Sequence, residues 1–194
     1  MADDSTSGTE GEHLEQAIAG ARAGSVSAFE QLYGTLAGPV AGYLRYHGMR
    51  DVEGLTNEVM AQVHRGLGSF EGDAKRFRAW VFTIAHHRMV DERRRASRRP
   101  VLLSTEAGDE GTEQGVGDVE QEALDALADE RLRSLLDALS EDQRDVLLLR
   151  IVADLSLEEA AASLGKTVGA VKSLQHRGLA SLRRLLEGEG SHER

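Results

Sequence analysis

Apolar positions recur along this chain at three- and four-residue steps, which predicts helices rather than strands. The clearest run is SEDQRDVLLLRIVADLSLEEAAASLGKTVGAVKSLQHRGLASLRRLL, residues 140–186. Ser140 with Gln143 three residues on is a capping box, so a helix opens there with Val146, Leu147, Leu149 and Ile151 as its buried side. Ser156 with Glu159 is a second capping box, opening a short helix with Ala160, Ala161 and Leu164 inside. Gly165 stands where a helix end favours a left-handed residue. Thr167 can cap a third helix, striped with Val168, Val171, Leu174, Leu179, Leu182 and Leu186.

The first half reads the same way. Leu14, Ala17, Ile18 and Ala21 share one side of a short helix, preceded by a polar, acidic stretch, residues 1–12, that is expected to be disordered. Ser25 or Ser27 can cap SAFEQLYGTL, and Pro39 is expected to open a separate helix, PVAGYLRYHG. Asp51 can cap DVEGLTNEVMAQVHRGL, with Val52, Leu55, Val59 and Val63 buried. A loop over residues 68–76 leads to a long helix from Phe77 to about Arg95 with an apolar face of Trp80, Val81, Ile84 and Ala85. Few aromatics, few β-branched runs and two prolines agree with an all-α protein, and 194 residues hold one or two small domains.

Two short helices joined at Gly165 make a helix-turn-helix. In that motif, residues near the start of the second helix meet base edges in the DNA major groove. Here they are Thr167, Gly169, Ala170, Lys172, Ser173, His176 and Arg177. The small Gly169 and Ala170 permit close approach, while Lys172 and Arg177 can reach phosphates or guanine edges. The same pattern also describes a three-helix scaffold whose last helix is merely basic and solvated.

A net charge of −10 is unexpected for a DNA binder, but its distribution changes the picture. From Pro100 to Glu130 there is no Lys or Arg, and ten acidic residues carry the whole imbalance. Lys75 to Arg99 is instead strongly basic, with only Asp91 and Glu92 against nine cations. Within it, the helix FRAWVFTIAHHRMVDERRR interleaves aromatic rings and charges, as a surface holding single-stranded or distorted nucleic acid requires. Ordinary core packing is the other reading of Phe77, Trp80 and Phe82.

Other functions find little support. The chain has no cysteine, hence no disulfide or thiolate metal site, which fits a reducing cytoplasm. Its histidines lack metal spacing, and neighbours such as His86 and His87 point about 100° apart on a helix. No glycine-rich loop follows a strand, and no serine has a catalytic constellation. Neither an enzyme, a catalytic residue, a metal ligand nor a cofactor is expected. No apolar run approaches the roughly 20 residues of a membrane span, and MADDSTSGTEGE is no signal peptide. Membrane insertion is therefore not expected.

The phrases AFEQLY, DVEGLTNEVMAQVHR and FRAWVFTIAHHRMVDERRR, an acidic stretch, and then LSEDQRDVLLLR and LSLEEAAASLGKTVGAVKSLQHR occur in that order. This layout resembles the bacterial RNA polymerase sigma factors of the extracytoplasmic-function (ECF) branch. The resemblance implies two small helical domains: region 2 over residues 13–99 and region 4 over residues 123–188. A flexible acidic linker, residues 100–122, would join them, and residues 189–194 would form a disordered tail. It implies core RNA polymerase as partner, through the β′ clamp helices and the β flap, together with promoter DNA and an anti-sigma factor. Asp51, Glu53, Leu55, Asn57, Glu58, Gln62 and His64 would then face polymerase. The basic helix would read and open the −10 element through Arg76, Arg78, Trp80, Thr83, His86, His87, Arg88, Arg93, Arg94 and Arg95, and the helix-turn-helix would read the −35 element. Departures from the family pattern fall at Gly54 (often an acid), Asn57 (often Gln) and His86-His87 (often Arg-Asn). A helix-turn-helix regulator acting without polymerase would explain residues 140–186 but not the first half. A decoy that only binds an anti-sigma factor would have no use for the basic helix.

Overall fold

The computed structural model describes residues 4–98 and 130–189, and no strand occurs among them. The expected linker, residues 100–122, lies outside the described residues, as does most of the expected C-terminal tail. The chain runs α1 (Asp4–Arg22), α2 (Val26–Tyr46), α3 (Val52–Gly66), a 3-10 turn (Leu67–Ser69) and α4 (Ala74–Arg98). After residues 130–137, which are helical (α5), come α6 (Glu141–Ile151), α7 (Leu157–Leu164) and α8 (Val168–Glu189). Helices α1–α4 pack as one bundle and α6–α8 as a smaller one, so the all-α, two-domain expectation holds.

Three helix starts expected in the first bundle are corrected, those of α1, the segment at Pro39 and α4. Helix α1 begins at Asp4 rather than near Leu14. Leu14, Ala17 and Ile18 are buried and anchor a helix that runs back through Ser, Thr and Gly residues, which are poor helix formers but, unlike proline, do not break it. Helix α2 is continuous, with Pro39 inside it instead of a break before it. Proline within a helix costs about 3 kcal/mol. However, Leu32, Leu36, Val40, Tyr43 and Leu44 form one stripe, each 0% exposed, that spans Pro39. Burying each large side chain is worth roughly 1.5–3 kcal/mol, so unbroken packing outweighs the lost hydrogen bond.

The other caps form largely as the sequence dictates. Asp51 Oδ1 accepts from Gly54 N at 2.8 Å. Helix α4 starts at Ala74 rather than Phe77, because Asp73 Oδ1 accepts from Arg76 N at 2.8 Å.

Both capping boxes of the smaller bundle are complete. Gly165 takes φ 61°, closing α7 in the left-handed conformation. Thr167 Oγ1 accepts from Ala170 N at 3.2 Å. Gly178 lets α8 cross α6 closely, since a Cβ there would lie 2.9 Å from Leu147 Cδ1.

Helix α6 buries Val146, Leu147, Leu148 and Leu149, while Ile151 is 68% exposed. Packed by both α7 and α8, it buries more than one face, which a single-stripe reading misses. Along α8 the stripe is buried only at Val171 and Leu174. Val168 lies at its start and Leu179 and Leu186 beyond it, all exposed, with Leu182 half-buried.

Candidate nucleic-acid and polymerase interface

The seven helix-turn-helix residues come together as expected. Thr167, Gly169, Ala170, Lys172, Ser173, His176 and Arg177 are all exposed on the first turns of α8. Thr167 serves as the cap. Ser173 Oγ donates to Gly169 O at 2.9 Å, tying its hydroxyl to the helix backbone. This leaves a smooth, small-residue surface flanked by Lys172, His176 and Arg177. Lys166 at the turn pairs with Asp142 of α6 at 3.0 Å.

The expected polymerase face divides in two. Glu53, Asn57 and His64 lie at helical spacing on one exposed stripe of α3. Asn57 Oδ1 accepts from Tyr33 Oη at 2.7 Å, and His64 packs edge-on to Phe29. Glu58 and Gln62 turn instead toward α4: Arg88 donates to Gln62 Oε1 from Nε and Nη2, at 3.0 and 2.8 Å, and lies 3.7 Å from Glu58. Leu55 is 5% exposed and belongs to the core, so its apolar character serves folding rather than docking. Asp51 is exposed and occupied as the cap of α3.

The ten candidates on α4 occupy different environments. Arg76, His87, Arg94 and Arg95 are exposed; the rest are half-buried. Trp80 stacks on Phe70 with ring centroids 5.2 Å apart and leans on Phe77. A Cβ at Gly66 would come within 2.8 Å of the indole. One side of Trp80 is thus committed to packing, and Phe77 and Phe82 are fully buried core. Arg94 and Arg95 make long surface pairs with Asp91 and Glu92, which contribute little.

Thr83, His86 and Arg93 share the stripe of α4 that also carries Ala79 and Val90, and the second bundle lies against this stripe. Thr83 Oγ1 donates to Ala79 O at 2.8 Å and lies 2.7 Å from Ser163 Oγ of α7, whose hydroxyl therefore supplies the shared proton. His86 Nδ1 lies 3.0 Å from Tyr43 Oη. Burial holds that phenol well above its usual range, so it stays protonated and donates to the imidazole. Arg93 reaches His47 O at 3.0 Å and His47 Nδ1 at 3.3 Å, and also pairs with Glu141 of α6. An open cavity of about 320 Å³ lined by Arg93, Glu141 and Arg144 forms the mouth of this seam.

Behind the mouth lie two buried groups that the sequence reading did not single out. His47 and Asp145 are 3% and 5% exposed, with Nε2 and Oδ1 3.4 Å apart. Neither atom makes a hydrogen bond, and such a group left unsatisfied costs about 1–3 kcal/mol. Burial, then the nearby Glu141, pushes Asp145 up to about 7. Burial and the guanidinium of Arg93 bring His47 down to about 3. Burial, then His87, lowers His86 to about 4. No local motif marks Asp145, which stands just before the apolar run VLLL, residues 146–149. Its only signal is that it lies one turn after the exposed Glu141 and Asp142 and directly beside the buried Val146.

A basic, ring-bearing helix in one bundle and a capped helix-turn-helix in the other define a two-domain helical protein that reads nucleic acid. Residues 29–99 match the Sigma-70 region 2 family, and residues 129–182 match Sigma-70 region 4. The chain is 32% identical over 197 residues to the ECF RNA polymerase sigma factor SigD of Mycobacterium tuberculosis, covering 94% of this chain and 88% of SigD. It is 36% identical to ShbA of Streptomyces griseus over 138 residues, 70% of this chain and 72% of ShbA. The solved structure of CnrH in complex with the cytosolic domain of CnrY aligns with a TM-score of 0.64 and 27% identity, over 91% of this chain and 98% of CnrH. The chain belongs to the ECF RNA polymerase sigma factors. It directs promoter-specific transcription initiation together with core RNA polymerase. No helix among the described residues is long and apolar enough to cross a membrane.

Proposed function

We propose that α8 reads the −35 element through Lys172, Ser173, His176 and Arg177, with Thr167, Gly169 and Ala170 admitting the backbone to the groove. Helix α4 reads and opens the −10 element through its exposed cations and Trp80, His86 and His87. The exposed polar stripe of Glu53, Asn57 and His64 on α3 docks on the clamp helices of the β′ subunit, with the acidic Glu58 at its edge, and the smaller bundle meets the β flap. The observation that carries this reading is the coexistence of two separate nucleic-acid surfaces on one chain, the exposed start of α8 and the cationic α4. A repressor or activator needs only the first. Acting by binding alone, the protein performs no covalent chemistry, and it works in the cytoplasm, where core polymerase is found. CnrH was solved bound to the cytosolic domain of CnrY, and a proteinaceous anti-sigma factor is the corresponding partner proposed here.

Run-off transcription with purified core polymerase, with and without the chain, on a pool of promoter fragments tests the reading. Transcripts that appear only with the chain, and whose upstream sequences align into two elements, are expected. Duplex binding without any transcript would instead support a polymerase-independent regulator.

A further inference from the structure

The contact between Tyr43 and His86 settles where the imidazole keeps its proton. Tyr43 of α2 is 0% exposed. Its ring is held edge-on between His47 and Phe82, with centroids 4.5 and 5.7 Å away. Its Oη lies 3.0 Å from His86 Nδ1. The hydroxyl proton has no other acceptor among the described residues, and a buried donor left unmade is costly. Tyr43 therefore donates and Nδ1 accepts. A neutral imidazole whose Nδ1 accepts carries its one proton on Nε2. Protonating the ring would put a second hydrogen on Nδ1, directly against the phenol hydrogen. Burial first, and then His87 and Arg93 of α4 and Lys166 of the turn before α8, oppose a charge on this ring, while Glu141 of α6 favours one.

We propose that Tyr43 is a positioning residue for promoter recognition: by fixing a single neutral tautomer of His86, it makes that side chain a hydrogen-bond donor through Nε2, which reads an acceptor on a base of the −10 element instead of neutralising a phosphate. This rests on the assignment of α4 to the −10 element. The chemistry of the target follows from the tautomer. An Nε2–H donor fits the ring nitrogens and carbonyl oxygens of bases and is mismatched against their exocyclic amino groups. Charge for the phosphates is already supplied on the same helix by the exposed Arg94 and Arg95, so a neutral donor beside them adds discrimination rather than general affinity. The contact is made between α2 and α4, inside the first bundle, so the tautomer is the same in the free chain and in the polymerase complex.

Two measurements test this. Nitrogen-15 side-chain spectra of the full chain report which ring nitrogen carries the proton. His86, whose pKa is brought down to about 4, should show a protonated Nε2 and a bare Nδ1 from about pH 8 to about pH 5. In Y43F both nitrogens should share the proton, and the ring should titrate at higher pH, because the bond that favours the neutral form is gone. Mixed tautomers in the wild type, or an unchanged His86 spectrum in Y43F, would overturn the positioning role. The second measurement uses core polymerase and compares run-off transcription from a promoter with that from the same promoter carrying a scrambled −10 element. Y43F should lower this ratio about fivefold, the worth of one neutral hydrogen bond, and H86A at least as much. H86Q keeps a neutral donor and should retain most of the ratio, and adding Y43F to H86Q should cost nothing further. An equal loss from Y43F in both backgrounds would mean that the phenol only supports the fold. An unchanged ratio in H86A would mean that His86 reads no base. Either result would overturn the proposal. If the wild-type chain gave no transcript from any promoter, the assignment of α4 would fall and the reading role of His86 with it, while the spectra would still decide whether Tyr43 sets the tautomer.

Discussion

Arg88 donates two hydrogen bonds to one acceptor, Gln62 Oε1, and this pairing keys helix α3 to the basic helix α4. Glu58 adds a weaker, more exposed contact at 3.7 Å. Both ends of the pairing are half-buried, so the amide and the guanidinium are each poorly compensated once the other is gone.

Gln62→Ala is therefore expected to destabilise the first bundle by about 1–2 kcal/mol, whereas Glu58→Ala should cost no more than about 1 kcal/mol. Arg88→Lys should behave like the loss of Arg88, because an ammonium cannot present Nε and Nη2 to one oxygen. Urea unfolding of the full chain ranks the three. Equal effects of Gln62→Ala and Glu58→Ala would mean that the amide is not the keying group.

The turn between α7 and α8 makes a backbone prediction. Gly165 sits at φ 61° with open space around its missing Cβ, so only the conformation opposes a side chain. Gly165→Ala should cost about 1–2 kcal/mol and Gly165→Asn distinctly less, since asparagine tolerates this region. Ser156→Ala, which removes one arm of the capping box at the other end of α7, should cost about 1 kcal/mol. Thermal melts of the three variants should follow that order, with Gly165→Asn the mildest. An asparagine variant as unstable as the alanine one would point to a steric rather than a conformational cause.

These local signals were legible because they are short-range. The two capping boxes, the Asp51 and Thr167 caps and the left-handed Gly165 each need only a few neighbouring residues. The same locality explains the misreadings. Pro39 looks like a helix start until the stripe from Leu32 to Leu44 is seen to be buried on both sides of it. Ile151 continues the apolar period of α6 yet faces solvent, because α7 and α8 cover other faces of that helix. Leu55 was placed on a docking surface by its position in a motif, although its spacing from Val59 and Val63 had already put it in the core. The seam was illegible for a stronger reason. Ser163 and Thr83 are 80 residues apart, and nothing in either local sequence says that they meet.

The buried ionisable groups set the pH dependence of stability, and their signs differ. Asp145 is raised to about 7 from about 3.9 unfolded, so its contribution is full below about pH 4 and is lost as pH rises through 7. His47 and His86 are lowered to about 3 and about 4 from about 6.5. Their contributions are full above pH 6.5 and are lost as pH falls. Between about pH 4 and 6.5, Asp145 and His47 cancel, one binding a proton on folding and the other releasing one. The loss due to His86 then remains, at most about 1.4 kcal/mol per pH unit. Above 6.5 only the gain from Asp145 on acidification is left. Stability should therefore peak near pH 6.5. Asp145→Asn should steepen the acid limb to about twice its slope, and His86→Asn should flatten it. Urea midpoints measured from pH 4.5 to 8 provide the check, and a wild-type profile that rises steadily down to pH 5 would contradict the assignment.

The exposed start of α8 predicts how the −35 contacts divide. Lys172 and Arg177 are both solvent-facing cations one and a half turns apart, but they need not do the same work. A residue that only neutralises phosphate weakens binding to every duplex equally, and its loss lowers the salt slope by about one unit. A residue that reads a guanine edge loses about 1–3 kcal/mol on its own site and much less on others. Arg177 lies near the backbone of the preceding turn, its Nε 3.4 Å from Ser173 O, so its fork is angled along the helix, where a phosphate would lie. Lys172, beside the small Gly169 and Ala170, stands where the backbone can come closest to the bases. Lys172→Ala should therefore cost affinity chiefly for the cognate −35 duplex. Arg177→Ala should weaken cognate and scrambled duplexes alike and flatten the dependence of log affinity on log salt. Fluorescence anisotropy of both variants on both duplexes, at several salt concentrations, separates the roles. The opposite pattern would exchange them, and parallel losses would place both cations on the phosphate backbone.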